Sequence, residues 1–468
     1  MSPDPPYRYE VTATAAEVAE RFGDLEAGAG SGQEVAVAGR VMLHRPQGKL
    51  DFAELRDSSG QVQLFAGAGW TDRYEAFTAL SLGDWVGARG EVVRTRRGEL
   101  SVRVAEWALL AEARRGFGDK WRGVTDVDTR YRQREVDLWA NPDTRRVFLL
   151  RSRVLHVVRE FLDERDFVEV ETPTLHLVPS GGHALPFRTH HNALDLDLFL
   201  RIALELHLKR LIIGGFERVF EIGRVFRNEG ISPRHNPEFT MLELYQAYAD
   251  YHDIMALVEE LVAHVFRQLR GTTAVTFGGR PIDFGPPWRR ATMATLIAEA
   301  TGREANLELG LEKLRAVATE VDVPLRDEWG AGKVMLEIYE KTTEPNLWGP
   351  VFVCDYPQEV SPLARAHRSA PGYVERFEAV VAGRELANAF SELTDPDEQR
   401  ARFSEQARER AAGDQEAMPV DEDFLRALEH GMPPTGGLGI GIDRLAMFVA
   451  DVQNIRDVLL FPTLRPES

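Results

Sequence analysis

Residues 226–251 carry the side chains best suited to chemistry. The stretch reads Phe226-Arg-Asn-Glu-Gly, then a loop through Arg234-His235-Asn-Pro, then Glu238-Phe-Thr-Met-Leu-Glu-Leu-Tyr245. Side chains alternate across a strand. In the first strand Phe220, Ile222 and Phe226 share one face, and Gly223, Arg227 and Glu229 the other. In the second, Thr240, Leu242 and Leu244 share one parity, and Phe239, Met241, Glu243 and Tyr245 the other. An antiparallel hairpin therefore brings Arg227, Glu229, Phe239, Glu243 and Tyr245 onto one floor. Alternating charge alone reads as a water-facing sheet surface. Here the loop adds Arg234 and His235, and Pro233 and Pro237 stiffen it by fixing φ. Cations on a stiff loop beside a strand arginine suit a polyphosphate, whose oxygens a guanidinium binds in bidentate fashion.

The frame for such a floor is bounded by composition. The 468 residues suffice for two or three domains. A hydrophobic fraction of 44% with 28% charged residues is that of a soluble globular protein. No apolar run is long enough to cross a bilayer. The start, Met1-Ser-Pro-Asp-Pro-Pro, lacks the basic region and apolar core of a signal peptide. A single cysteine, Cys354, excludes an intrachain disulfide and a cysteine zinc cage. These features predict a cytoplasmic protein with no membrane partner. The net charge of −18 speaks against a broad nucleic-acid surface. Residues 1–110 are acidic as well, with 12 Lys+Arg against 16 Asp+Glu, so any RNA contact must come from local patches.

Five short runs, at 34–43, 49–57, 61–65, 84–93 and 99–107, read as strands punctuated by Gly60, Gly83 and Gly98. That spacing predicts a small closed barrel of the OB-fold kind over residues 1–110. Residues 111–142 are Arg-rich and read as an irregular hinge. From 143 onward strands and helices mix in an α+β pattern, beginning with a helix over 143–165 whose Val147, Leu150, Val154, Val157 and Phe161 share one face. Residues 260–350 read as a mainly helical insertion, with helices over 293–301 and 311–321. There is no internal repeat.

At this point the residues resemble a known family. Phe226-Arg-Asn-Glu-Gly with His235-Asn-Pro-Glu-Phe is similar to motif 2 of the class II aminoacyl-tRNA synthetases. Gly437-Leu-Gly-Ile-Gly-Ile-Asp-Arg444 resembles their motif 3, and Phe161-Leu-Asp-Glu-Arg-Asp-Phe followed by Val168-Glu-Val-Glu-Thr-Pro173 their motif 1. The resemblance is greatest to the bacterial lysyl-tRNA synthetases of subclass IIb and runs from about Tyr7 to Pro466. It implies an anticodon-binding OB-fold domain followed by a catalytic domain on an antiparallel sheet flanked by helices. It also implies a homodimer, because in that family motif 1 forms the subunit interface.

The implied reaction is ATP-dependent activation of L-lysine, with pyrophosphate leaving, then transfer to the 3′ end of tRNA(Lys). Such chemistry rests on positioning and charge neutralisation. Arg227 is the natural bridge between amino-acid carboxylate and α-phosphate. By resemblance Glu229 and Phe239 hold the adenine, Arg444 covers its other side, and Arg234 and His235 lie where the terminal phosphates bind. The glycines before Arg444 read as a tight turn opening a helix over 443–449, whose start favours anions. Glu378 and Glu385 match the family's metal-binding strand and suit Mg²⁺, a hard ion needing few protein ligands. Arg384 between them reads as an ion-pair partner.

Glu205, Glu243 and Glu392, with Gly181, Tyr245, Asn388 and Phe390, line a pocket rich in acids. Buried carboxylates without partners are costly, so this pocket calls for a cationic guest. Charge alone admits lysine, arginine or ornithine; the resemblance selects lysine. In the barrel, Phe52 and Gln63 on adjacent strands suit stacking on an unpaired base and reading its edge. Related synthetases use that pair on the middle anticodon base.

The chain departs from the lysyl pattern at four places. Leu185 stands for an Arg and His183 intrudes in the loop 179–187; His207 and Glu135 each replace a Tyr. The fourth departure is a helix expected to be absent ahead of the barrel. Two rival readings remain beside the tRNA ligase. One is a synthetase paralogue that lysylates a protein or makes dinucleoside polyphosphates, and the other a non-enzymatic regulatory binder.

Overall fold

The computed structural model describes residues 5–115, 124–414 and 416–466. It divides into two compact units at Pro142. In the first, strands Gly30–Gln47, Leu50–Arg56, Gln61–Gly67, Trp85–Arg94 and Leu100–Ala111 close into a barrel. The first strand pairs with both the second and the fourth, and the third closes onto the fifth in parallel. Alternation along the second strand puts Ala53 and Leu55 into the barrel core and leaves Phe52 outside it.

A short helix that the sequence reading did not mark precedes the barrel strands. Ala15–Phe22 is held by a capping box in which Thr14 and Glu17 each satisfy the other's backbone N–H. Its Ala15, Val18 and Phe22 join the barrel core. Only eight residues long, five of them alanine or glutamate, it offers little periodic signal. The hinge also holds more structure than expected: Val127–Arg132 and Arg134–Ala140 are helical. Asp137 makes this possible by neutralising two arginines, Arg130 at 2.9 Å and the buried Arg134 at 2.6 Å. Residues 116–123 of the expected hinge lie outside the described residues.

The second unit is built on an eight-stranded sheet. Its order is Arg289–Thr292, Val351–Pro357, Tyr373–Val381, Arg384–Ser391, Thr435–Gly441, Glu238–Ala247, Arg218–Phe226 and Val168–Glu169. The pairings are antiparallel except at the two outer edges. One face is covered by the helices Pro142–Asp163, Tyr251–Arg270 and Ile442–Ala450, whose Phe161, Val258, Val262 and Leu445 pack on Phe220, Leu242, Leu244 and Ile440. A capping box between Asp250 and Asp253 starts the second of these helices, and Gly271 in the left-handed region ends it.

Two expectations change here. The stretch 260–350 is mainly helical as read, but it is not separate from the sheet. It contains the hairpin Ala274–Phe277/Arg280–Asp283 and the sheet's own edge strand before the helices Met293–Thr301, Leu311–Glu320 and Ala331–Thr342. The glycines of 436–441 form no turn; they are the strand Thr435–Gly441 in the middle of the sheet. A run of glycines signals a turn in isolation, and only the neighbours' need for space makes it a strand.

One buried knot joins the three motif segments. Arg151 of the first helix donates to Asp443 Oδ1 at 2.7 and 3.0 Å and to Thr240 Oγ1 at 2.9 Å. Asp443 Oδ2 accepts the Thr240 N–H at 2.8 Å. Asp443 is 2% exposed, so losing its cation strands a charge. Arg151→Met should lower the unfolding free energy of the larger unit by about 3 kcal/mol or more. Urea denaturation checks this; a loss below about 1 kcal/mol, the range of a surface pair, would contradict it.

Candidate active site

The sheet aligns the site residues in rows. One runs Glu378, Asn388, Gly439, Glu243, Glu221 across five neighbouring strands; the next runs Arg376, Phe390, Gly437, Tyr245, Val219. Glycine in the central strand leaves a trough between large side chains on either side. A Cβ on Gly437 would stand 1.9 Å from Glu392 Oε1 and 2.7 Å from the Tyr245 ring, and one on Gly439 3.1 Å from Met241. The hairpin register pairs Val225 with Phe239 and Glu221 with Glu243, which sets Phe239, Glu243 and Tyr245 on one face; the first strand ends at Phe226, so Arg227 and Glu229 lie beyond its paired part.

At one end of the trough the acid-lined pocket closes. Glu205 opens the helix Glu205–Ile213, and Gly181, at φ 88°, passes so near that a Cβ would lie 3.3 Å from the Glu205 Cβ. Glu205, Glu243 and Glu392 are all buried. Glu243 accepts the Leu204 N–H at 2.9 Å and the Tyr245 hydroxyl at 3.3 Å. Burial, reinforced by the nearby Glu205, still pushes its carboxyl up to about 8. Burial raises Glu392 well above the carboxylate range, with Lys209 opposing. Asn388 is fixed by Arg376, which donates to its Oδ1 at 2.9 Å and to Glu378 at 2.7 Å.

At the other end lie the cations. The Arg227 guanidinium sits 5.2 Å from the Phe239 ring centre, and its Nε reaches the Ile202 carbonyl at 3.4 Å. Glu229 is exposed at the start of the loop. Arg234 donates to the Gly383 carbonyl at 3.2 Å, and the His235 ring bonds the Ser232 hydroxyl at 2.9 Å. Burial, then Arg444 and Arg234, hold His235 below the ordinary imidazole range. Arg444, in the first turn of Ile442–Ala450, contacts the Glu385 carbonyl and reaches its carboxylate at 3.2 Å.

Parity alone would separate Glu378 from Glu385. A register shift between Ala379 and Val380 lets both Leu386 and Ala387 face the core, which puts Glu385 on the floor side with Glu378. Burial raises Glu378 against the pull of Arg376, with Glu385 adding to the rise; Arg444 and Arg227 overcome burial to hold Glu385 low. Glu344 belongs to the same cluster, pushed up to about 8 by burial and then by Glu378 and Glu385. Among the described residues no three such side chains converge closely enough to hold a metal ion by themselves, so Glu378 and Glu385 offer at most a pair of protein ligands, as a hard cation that keeps its waters requires. Arg384 bonds the Gln453 carbonyl and lies over Phe277, so it is not the glutamates' partner.

The departures from the lysyl pattern have local partners. His183 sits 3.1 Å from Asp414 and 3.2 Å from Glu416, tying its loop to that segment, while Leu185 contributes its carbonyl to the Asn228 N–H. His207 packs its ring 4.6 Å from His176. Burial, then the neighbouring His207, lowers His176 to about 4, so this stack is neutral. Glu135 lies in the short helix Arg134–Ala140.

In the barrel, Phe52 and Gln63 do lie on adjacent strands beside a groove of about 1230 Å³. Phe52 stacks one face on Phe65 at 5.0 Å. Gln63 Oε1 accepts the Ser101 hydroxyl at 2.9 Å, which leaves the amide NH₂ as what Gln63 can offer. Arg45, Arg94, Arg96, Arg97 and Arg103 line the same groove. Glu54, Glu91 and Glu99 line it as well, so the groove carries a small local excess of positive charge.

Sequence reasoning missed Lys209, Glu344, Arg376 and Arg151. Lys209 falls at i+4 from Glu205, the one spacing that could have signalled a pair.

Comparison with known proteins agrees with this geometry. The family described as tRNA synthetases class II (D, K and N) matches residues 126–465, and the OB-fold nucleic acid binding domain matches residues 35–110. The chain belongs to the class II aminoacyl-tRNA synthetases. It is 53% identical over 465 residues to the lysine–tRNA ligase of Moorella thermoacetica, covering 98% of this chain and 94% of that one. It is 52% identical to that of Synechococcus sp. (strain RCC307), covering 98% and 92%. The Nostoc punctiforme ligase shows 51% identity over 99% of this chain and 84% of its own. Within the class, the chain is a member of the lysine–tRNA ligase family.

The glycine strand gives a sign test. Replacing a strand-interior glycine by alanine ordinarily stabilises by about 0.5–1 kcal/mol. Gly437→Ala should instead destabilise by about 1–3 kcal/mol through overpacking against Glu392. Chemical denaturation of the variant checks the sign, and a stabilised protein would show that the trough is not filled as described.

Proposed function

We infer that this protein is a lysine–tRNA ligase: it activates L-lysine with ATP and transfers it to tRNA. The observation that carries the substrate assignment is the trio Glu205, Glu243 and Glu392 buried at one end of a floor whose other end carries Arg227, Arg234, His235 and Arg444. The acids take the two ammonium groups of lysine, Glu205 the α-amine and Glu243 with Glu392 the ε-amine. Tyr245, Asn388 and Phe390 shape the pocket, and Gly181 lets the covering loop approach.

The lysine carboxylate attacks the α-phosphorus of ATP, and the bond to the β-phosphate oxygen breaks to release pyrophosphate. Arg227 neutralises the carboxylate and α-phosphate as they approach, which removes their repulsion and fixes the line of attack. Phe239 stacks on the adenine with Glu229 at its edge and Arg444 on its far side, while Arg234 and His235 meet the terminal phosphates. Glu378 and Glu385 are the residues that would hold Mg²⁺, which when bound neutralises charge on the leaving pyrophosphate. The terminal ribose hydroxyl of tRNA then attacks the lysyl carbonyl, and AMP leaves.

Phe52 stacks on an anticodon base, and the Gln63 amide, its oxygen engaged by Ser101, donates to a carbonyl on that base's edge, as a uridine provides. The OB-fold domain and its arginine-lined groove favour tRNA over a protein acceptor. The chain acts as a homodimer through the motif 1 segment, where Leu149, Val168, Leu175 and Leu177 expose large apolar side chains. Among the described residues no helix is long and apolar enough to cross a membrane, in keeping with a cytoplasmic enzyme of translation.

Separate half-reactions test these roles. Arg227→Ala should lower lysine-dependent ATP–pyrophosphate exchange by about 10³-fold, the scale of losing one transition-state donor; unchanged exchange would remove its role. Phe52→Ala should leave exchange intact and lower aminoacylation kcat/KM for tRNA by about tenfold, as loss of one stacked base entails. Equal loss in both assays would remove the anticodon assignment.

A further inference from the structure

Lys209 is fully buried, and its ammonium lies between two of the three pocket carboxylates. Nζ stands 2.5 Å from Glu205 Oε1 and contacts Glu392 Oε2. It also lies 5.4 Å from the Phe390 ring centre and 5.9 Å from that of Phe424, so aromatic faces complete its shell. The charged and titratable groups facing it are Glu205 on its own helix and Glu392 beyond the end of Arg384–Ser391. Behind them stand Glu243 and Tyr245 on Glu238–Ala247. The helix Glu422–Leu428 contributes Phe424, and Asp421 at its N-cap interacts with His207.

A lysine in such a place is expensive. Burial works to strip its proton, yet Glu205 and Glu392 outweigh it and the ammonium is retained. The charge count follows directly. When all three buried carboxylates are ionised they face one resident cation, which leaves two negative charges for a guest to match; in the empty pocket burial holds Glu243 and Glu392 toward their protonated forms. Free lysine brings two ammonium groups, while its carboxylate belongs beside Arg227. The filled pocket is then neutral, and a guest with a single ammonium leaves one charge buried alone.

We propose that Lys209 is a positioning residue of the amino-acid pocket. It is a built-in counter-ion that fixes Glu205 and Glu392 in place and sets at two the number of positive charges the guest must supply. The inference rests on the assignment of Glu205, Glu243 and Glu392 as the lysine pocket. Lys209 touches neither lysine nor ATP in this account; it acts through the two glutamates. Removing it leaves three mutually repelling carboxylates, which take up protons and so lose their hold on a cation. The acid limb of the pH profile should therefore move upward when it is lost.

The test is lysine-dependent ATP–pyrophosphate exchange of the full chain across pH, with KM measured separately for lysine and ATP. For Lys209→Met, the KM for lysine should rise about tenfold or more, one mispaired charge being worth at least that factor. The KM for ATP should hold, and the acid limb of kcat/KM for lysine should shift to higher pH. Lys209→Arg, which keeps the charge, should restore most of the lysine affinity. Equal rises in both KM values, or an unmoved acid limb, would reduce Lys209 to a structural residue and overturn the proposal. If Lys209→Met does not fold, Lys209→Ala supplied with n-propylammonium takes its place: restored exchange supports the proposal and no restoration refutes it. Glu243→Gln separates the two levels. An unchanged lysine KM there removes the pocket assignment itself. A raised one, with Lys209→Met unaffected, removes only this inference.

Discussion

Three carboxylates and one ammonium share a volume closed to water, and much of the catalytic unit is arranged around that imbalance. Glu205, Glu243 and Glu392 come from a helix, a strand and a strand end far apart in sequence, so the sheet must bring them together before any guest arrives. Isolated buried charges are costly enough that proteins neutralise or pair them. The protein pairs one of them through Lys209 and holds Glu243 and Glu392 toward their protonated forms. The stability given up in this way becomes selectivity, because only a guest carrying the missing positive charge relieves it.

The geometry that permits this is set by the glycines of Thr435–Gly441. A central strand without side chains lets Tyr245 and Glu392 approach across it, and it continues into the helix that aims Arg444 at Glu385. The Arg151–Asp443–Thr240 knot locks that helix start against the hairpin strand. Acidic pocket and cationic end are therefore two ends of one trough. That suits a reaction in which positioning and charge neutralisation supply most of the rate.

Much of this was legible in the sequence because it is periodic. The alternation of Phe239, Glu243 and Tyr245 against Leu242 and Leu244 gave the floor, and the parity of Asn388, Phe390 and Glu392 gave one pocket wall. The five barrel strands announced themselves by length and glycine punctuation. What stayed hidden depends on context. Glu385 joins Glu378 only through a register shift, which leaves no mark on the pattern. Glu344 reaches the same cluster from a 3₁₀ turn after a helix, at no regular spacing. The glycine strand looked like a turn because its neighbours' bulk is not written in its own residues. Lys209 lay at a readable spacing from Glu205, but a lysine on a helix is read as solvent-facing until a third charge is found beside it.

The central claim is that lysine binds by supplying the positive charge the pocket lacks. With Glu243 near 8, most copies of the free enzyme carry its proton at pH 7, and a bound ammonium must displace it. A group whose pKa falls on binding releases protons below its free value, so lysine affinity should increase as pH rises through about 8. Isothermal titration of the enzyme with lysine at pH 7, in buffers of different ionisation enthalpy, measures this directly. Net proton release that fades above about pH 9 is expected. Binding with no proton exchange at pH 7, or with proton uptake, would contradict it.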